Sequence, residues 1–334
     1  MNSTRSPMRS ELILVLPPAP NKNGESEQEA GALRKAVRVL RRFKTVVQYG
    51  TQLWLSLEEK PRVSTKGFRI RLGLYALFLL CGFLVFAVSS VSPDLSIGTA
   101  AVPLLFLLTT IALHGDVRFK TYWEVFFAFF VFSFVWFTRH LILDSASVHP
   151  FYATLSGNVV AQLVDTTVVI IPILLLTLAS GSGLSSIFLR KGDLKLGSVV
   201  GLMVLAIFYL LSAVVAISVA GMSPSRFLFL SPFLLVLALT NGFKEELWFR
   251  GLFLNKYEPL LGVRLSNFLQ APIFAMSVVE AEFSSVLIGI VLVSFFLGLG
   301  LGYLMRRTGS ILGSSLCEAG SVIPIFLVVI SALR

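Results

Sequence analysis

From residue 71 onward the chain is a succession of nine apolar stretches, at roughly 71–92, 98–113, 121–143, 156–180, 196–220, 227–254, 265–279, 284–305 and 309–332. Hydrocarbon offers no water to satisfy a peptide backbone, so a stretch that crosses a bilayer must close its own hydrogen bonds as a helix. About 20 residues at about 1.5 Å each span the roughly 30 Å apolar core, and most of these stretches reach that length. The seventh is short enough to be re-entrant in part. Breakers separate the stretches where a helix should end: Ser92-Pro93-Asp94, Gly115-Asp116, His149-Pro150, Gly181-Ser182-Gly183 and Ser223-Pro224-Ser225. Charged residues make up 14% of the chain, against about 25% in a soluble domain. The expected fold is all-α: a polytopic helical membrane protein with about nine transmembrane helices.

Lysine and arginine set its expected orientation. The tail through Arg71 carries 14 of the 28 basic residues. Alternate loops add Arg118 and Lys120, then Arg190, Lys191 and Lys195, then Lys256 and Arg264, then Arg306 and Arg307. The opposite side has Arg139, Arg226 and Arg334. Positive charge stays on the cytoplasmic side, so the N-terminus is expected in the cytoplasm and the C-terminus outside. Three regions follow: a cytoplasmic tail over 1–66, N-terminal transmembrane helices over 67–195, and a C-terminal core over 196–334.

Within the tail, residues 17–29 are rich in Pro, Asn and Glu and read as disordered. Ser26 and Glu29 form a capping-box pattern. Beyond them Leu33, Val37, Leu40 and Val47 fall near one helical face, while Arg34, Lys35, Arg38, Arg41, Arg42 and Lys44 dominate the rest. A basic amphipathic helix suits an anionic lipid surface. A solvated helix or coil that merely sets topology accounts for the pattern equally well. No nucleic-acid role is expected, because the charge adjoins a membrane span.

Ionisable residues inside such a chain need partners and mark functional sites by default. The densest group is Lys244-Glu245-Glu246-Leu247-Trp248-Phe249-Arg250. On a helix Glu246 and Arg250 are four residues apart and share a face, while Glu245 points about 100° away. A catalytic site and an ion pair locking two helices are both consistent with this pattern. Asp165, alone in Leu163-Val164-Asp165-Thr166-Thr167, is expected to hydrogen-bond to a neighbouring helix. His140, Asp144 and His149 have a spacing that suits a metal, but also a wet hydrogen-bonded loop, the commoner case. Cys81 and Cys317 offer neither a disulfide framework nor zinc spacing. Gly298 with Gly302, and Gly309 with Gly313, are GxxxG pairs that favour close packing of the last helices.

Glu245-Glu246-x-x-x-Arg250, followed by apolar segments and a last helix rich in small residues, resembles the CPBP family of intramembrane proteases, the CAAX-processing and bacteriocin-immunity-related (Abi) family. The resemblance covers about residues 196–334 and implies an all-helical core with two further motifs, Phe-x-x-x-His and His-x-x-x-Asn or -Asp. The second motif aligns on Phe274, with Val278 at the histidine position. The third aligns with Glu318 at the histidine position and Val322 at the Asn/Asp position. By resemblance Glu245 is the general base, Glu246 and Arg250 complete the first motif, and two histidines would hold a metal or polarise the attacking water.

Valine does neither, and no histidine follows His149. The expectation is therefore no zinc and no other cofactor. Glu245 and Glu318 each lie nine residues inside their helix boundaries, roughly 13 Å deep, so the two carboxylates are expected in one layer. The resulting reading is a catalytically degraded relative that binds a membrane peptide or protein partner. The alternative is an active CAAX-type protease that cuts a peptide or prenylated protein with Glu245 and Glu318 in an altered site.

Overall fold

The computed structural model describes residues 65–91, 96–143, 153–277 and 285–333. The tail with its capping pattern and basic segment lies outside the described residues, as do Asp144, His149, Val278 and Arg334. All the described elements are helices. They are α1 (Thr65–Val91), α2 (Ser96–His114), α3 (Lys120–Leu143), α4 (Leu155–Ala179), α5 (Leu194–Ser218), α6 (Pro224–Glu245), a π-helical turn (Glu246–Gly251), α7 (Leu254–Leu261), α8 (Val263–Met276), α9 (Ser285–Thr308) and α10 (Leu312–Ser331), with short 3-10 turns at Val117–Phe119 and Leu184–Ile187.

Each of the nine apolar stretches is thus largely helical over its described residues, and seven helical segments among the described residues are long and apolar enough to cross a membrane. The two that fall short are α2, of which Ala100–His114 qualifies only as a shorter apolar helix, and α8. With 14 residues, α8 is about 21 Å long, less than the hydrocarbon thickness. The stretch expected at 227–254 is longer than its hydropathy indicates. It continues through the π turn into α7, giving a 38-residue segment from Pro224 to Leu261. Lys256, assigned to a loop from the sequence, sits inside α7. It is 8% exposed, and its Nζ donates to the Leu252 carbonyl at 2.7 Å. α7 escapes hydropathy because its buried Leu254, Tyr257 and Leu261 alternate with polar residues.

Two apolar cores hold the helices together. One is aromatic and joins α1 and α3 to the π turn and α7. Ring centroids of Phe129 and Phe253 lie 5.0 Å apart, those of Phe78 and Tyr257 5.5 Å, and those of Phe132 and Trp248 5.5 Å. The other packs Leu234, Leu237 and Ala238 of α6 against Ala319, Ile323 and Ile330 of α10. Large apolar side chains such as Leu104, Leu175, Leu228 and Val328 remain exposed, as expected where lipid replaces water.

α10 packs most extensively on α5 and α6, and small residues set those distances. A Cβ added to Gly313 would lie 2.8 Å from the Cα of Gly197, and one on Gly242 would lie 2.5 Å from the Ala319 nitrogen and the Ser315 carbonyl. Gly298 performs the same service for α8, its absent Cβ 3.3 Å from the Ala271 Cα. Gly309 does not belong to this set. It occupies the turn between α9 and α10 with φ +64°, and its carbonyl accepts a 2.7 Å hydrogen bond from Arg190 Nε.

Candidate functional site

The C-terminal end of α6 is where the charges converge. There the helix widens into the π turn from Glu246 to Gly251. Such turns insert an extra residue and recur at functional sites. Glu246 and Arg250, both fully buried, form an ion pair within this turn. The Arg250 guanidinium also lies over the ring of Phe274, with Cζ 4.2 Å from its centroid. Gly298 leaves room for it: a Cβ there would approach Arg250 Nη2 to 3.4 Å. The first motif's arginine and the second motif's phenylalanine therefore act on each other through a cation–π contact.

Lys244 faces the other way. Its Nζ donates to Asp165 Oδ2 at 2.5 Å, and Arg139 Nε donates to Asp165 Oδ1 at 2.8 Å. Asp165 on α4 is thus hydrogen-bonded to neighbouring helices, as expected, and is the centre of an ion triad reaching α3 and α6. Sequence reasoning left Lys244 without a partner and put Arg139 in an outer loop. A signal was present: Asp165 and Arg139 each lie in an apolar stretch and require an opposite charge.

Glu245 is half-buried and held from its own helix, with Asn241 Nδ2 donating to Oε1 at 2.8 Å. Gln162 of α4 donates in turn to Asn241 Oδ1 at 3.4 Å. Neither amide was singled out from the sequence, although Asn241 stands four residues before Glu245, one helical turn away. The Glu245 carboxyl opens on a cavity of about 780 Å³ bounded by α6, α8, α9 and α10 and lined by residues that include Asn241, Phe274, Ser277, Glu318 and Val322.

Glu318 reaches the same cavity from α10. It is 2% exposed, and it lines that cavity together with Glu245. Ser321 Oγ approaches Glu318 Oε1 at 3.5 Å, while Oε2 has no hydrogen-bond donor among the described residues. The site residues therefore separate into two groups. Glu246 takes Arg250 on the buried side, and Glu245 faces Glu318 across the cavity with Val322 one helical turn beyond. His140 is elsewhere, its ring 4.9 Å from that of Trp136 on α3.

The lining does not fit a zinc site of the kind the resemblance implies. Catalytic zinc takes at least three protein ligands from His, Cys and carboxylates. Among the described residues the cavity presents two carboxylates, one amide already engaged, and serine hydroxyls. Among the described residues no three His, Cys, Asp or Glu side chains are grouped to share a metal.

Residues 227–321 match the family model described as type II CAAX prenyl endopeptidase, Rce1-like. The matched stretch runs from α6 into α10 and contains Glu245, Glu246, Arg250, Phe274 and Glu318, and it supports the resemblance drawn from the motifs. Neither a curated protein nor a solved structure matches the chain. The chain is thus a multi-pass helical membrane protein that is CAAX-protease-like over its C-terminal part.

Proposed function

We propose that this protein holds a membrane-embedded peptide or protein partner in the cavity between α6, α8, α9 and α10 and does not hydrolyse it by the histidine-dependent route of the proteases it resembles. The observation that carries this reading is Glu318, a carboxylate facing Glu245 where a histidine would be expected. Glu245 retains the means to accept a proton. Hydrolysis also needs a group that orients the water and a positive charge or donor where the oxyanion forms. Neither Arg250, which pairs with Glu246 and stacks on Phe274, nor Lys244, which pairs with Asp165, is among the residues that line the cavity, and the Asn241 amide is taken by Glu245 itself. In a cooperating set, loss of one member can remove nearly all the rate. On the same reading the site takes no zinc, the N-terminus is cytoplasmic, and the basic tail segment lies against anionic lipid.

A second reading rests on the two carboxyls that line one cavity. Carboxyls brought close together share a proton, so that one serves as base while the other serves as acid. That arrangement would support cleavage of a CAAX-type peptide without metal.

One experiment separates the two. The parent protein and the variant Val278→His, Glu318→His, Val322→Asn are purified in detergent, and metal content and cleavage of a membrane-tethered peptide library are compared. The proposal expects no cleavage and no stoichiometric zinc in the parent. Cleavage by the parent that is abolished in Glu245→Ala would overturn it, and sensitivity of that cleavage to Glu318→Ala would establish the two-carboxylate route.

A further inference from the structure

Glu245 and Glu318 bring two carboxyls to one cavity. Oε2 of Glu318 belongs to a side chain that is 2% exposed, lines the cavity and finds no donor among the described residues. No lysine, arginine or histidine is among the described residues that line this cavity. Arg250, the nearby cation, pairs with Glu246, stacks on Phe274 and is not among the residues that line the cavity, while Lys244 and Arg139 pair with Asp165. Much of the remaining wall is apolar and includes Val293, Leu297 and Ile325. A buried carboxylate with an oxygen left without a donor is strongly disfavoured, and a matching cation relieves that cost.

We propose that the cavity receives a lysine or arginine side chain of a membrane-embedded peptide, with its ammonium or guanidinium group seated between Glu245 and Glu318. The proposal rests on the reading of the cavity as a binding site and adds the chemistry of its occupant. An ammonium carries three donors and a guanidinium five, enough to satisfy both carboxyls at once. Such charge-assisted bonds are roughly twice as strong as neutral ones and gain further in a low dielectric. The aliphatic stem of either side chain lies along apolar surface while its head finds the charges. A volume of about 780 Å³ falls within the roughly 300–1,000 Å³ of sites that enclose a small ligand, which admits one long side chain with its neighbours. A lone lysine or arginine in a membrane span is itself costly and requires an internal partner. The acidic pair and such a peptide therefore remove each other's penalty. A peptide with an apolar residue at that point would leave the Glu318 oxygen without a donor.

The test is photo-crosslinking in reconstituted vesicles, with a photoreactive residue in place of Val293. The probes are synthetic Leu/Ala transmembrane peptides, one without charge and a set carrying one lysine at successive central positions. The expected result is half-saturation about tenfold lower for the best lysine peptide than for the uncharged one, the size of one good charge-assisted bond. Glu318→Gln and Glu245→Gln, each first checked for a single folded species in detergent, should both erase that preference, and either one suffices if the other does not fold. Equal half-saturation for charged and uncharged peptides would overturn the cation preference and leave the binding reading standing. Crosslinking of neither would overturn both. A lysine preference that survives in both glutamine variants would also overturn the proposal.

Discussion

Arg250 sits between a carboxylate and an aromatic ring, with no exposed surface. Removing one partner of a fully buried pair leaves the other charge uncompensated and costs about 3–5 kcal/mol. Arg250→Ala should accordingly lower thermal stability and folded yield in detergent severely, while Arg307→Ala, at an exposed position, should change either very little. Equal behaviour would mean that Arg250 is solvated. Arg250→Lys should rescue poorly, because an ammonium cannot lie flat on the Phe274 ring as a guanidinium does. The Glu246–Arg250 pair was legible in the sequence because its two members are one helical turn apart. Asp165 was legible as a residue in need of a partner, but not the partners themselves. Lys244 and Arg139 lie 79 and 26 residues away and meet Asp165 through packing of three helices, which no local spacing encodes.

At the scale of elements, the site exists because α6 and α10 touch backbone to backbone at Gly242. In Gly242→Ala the new Cβ would lie 2.5 Å from two main-chain atoms of α10, and main chain cannot step aside as a flexible side chain can. The helices must part, at a cost of about 1–3 kcal/mol. Denaturation in detergent should show that loss, together with weaker peptide capture in the cavity. Gly300→Ala is the matched control: it has open space around its Cβ and should be neutral or slightly stabilising. An unchanged Gly242→Ala protein would argue against the close approach. The helices themselves were legible from apolar length alone. Their interruptions were not. No proline or glycine marks the start of the π turn at Glu246, and α7 is hidden from hydropathy by Asn255, Lys256 and Glu258, which interrupt its apolar side chains.

Across the whole molecule, the basic excess expected on one side stays large in the sequence when Lys256, inside α7, and Arg139, inside α3, are taken out of the loops. Thiol labelling of a cysteine placed near residue 22 and another placed at residue 333 should therefore find them on opposite sides of the membrane, the first cytoplasmic. Labelling of both from one side would show that the number of crossings is even. The motif frame made Glu245 and Glu318 legible as residues of one site. Their chemistry followed less directly, because whether two carboxylates face each other or face Arg250 depends on how α6 and α10 rotate against one another. That rotation is the central claim, and cysteine pairs read it directly. With Cys81→Ser and Cys317→Ala as background, a short bifunctional thiol reagent is applied in native membranes to Glu245→Cys with Glu318→Cys, and separately to Lys244→Cys with Glu318→Cys. The first pair should crosslink and the second should not, since Lys244 turns toward Asp165 on α4. Crosslinking of the Lys244 pair as fast as or faster than the Glu245 pair would contradict the shared cavity.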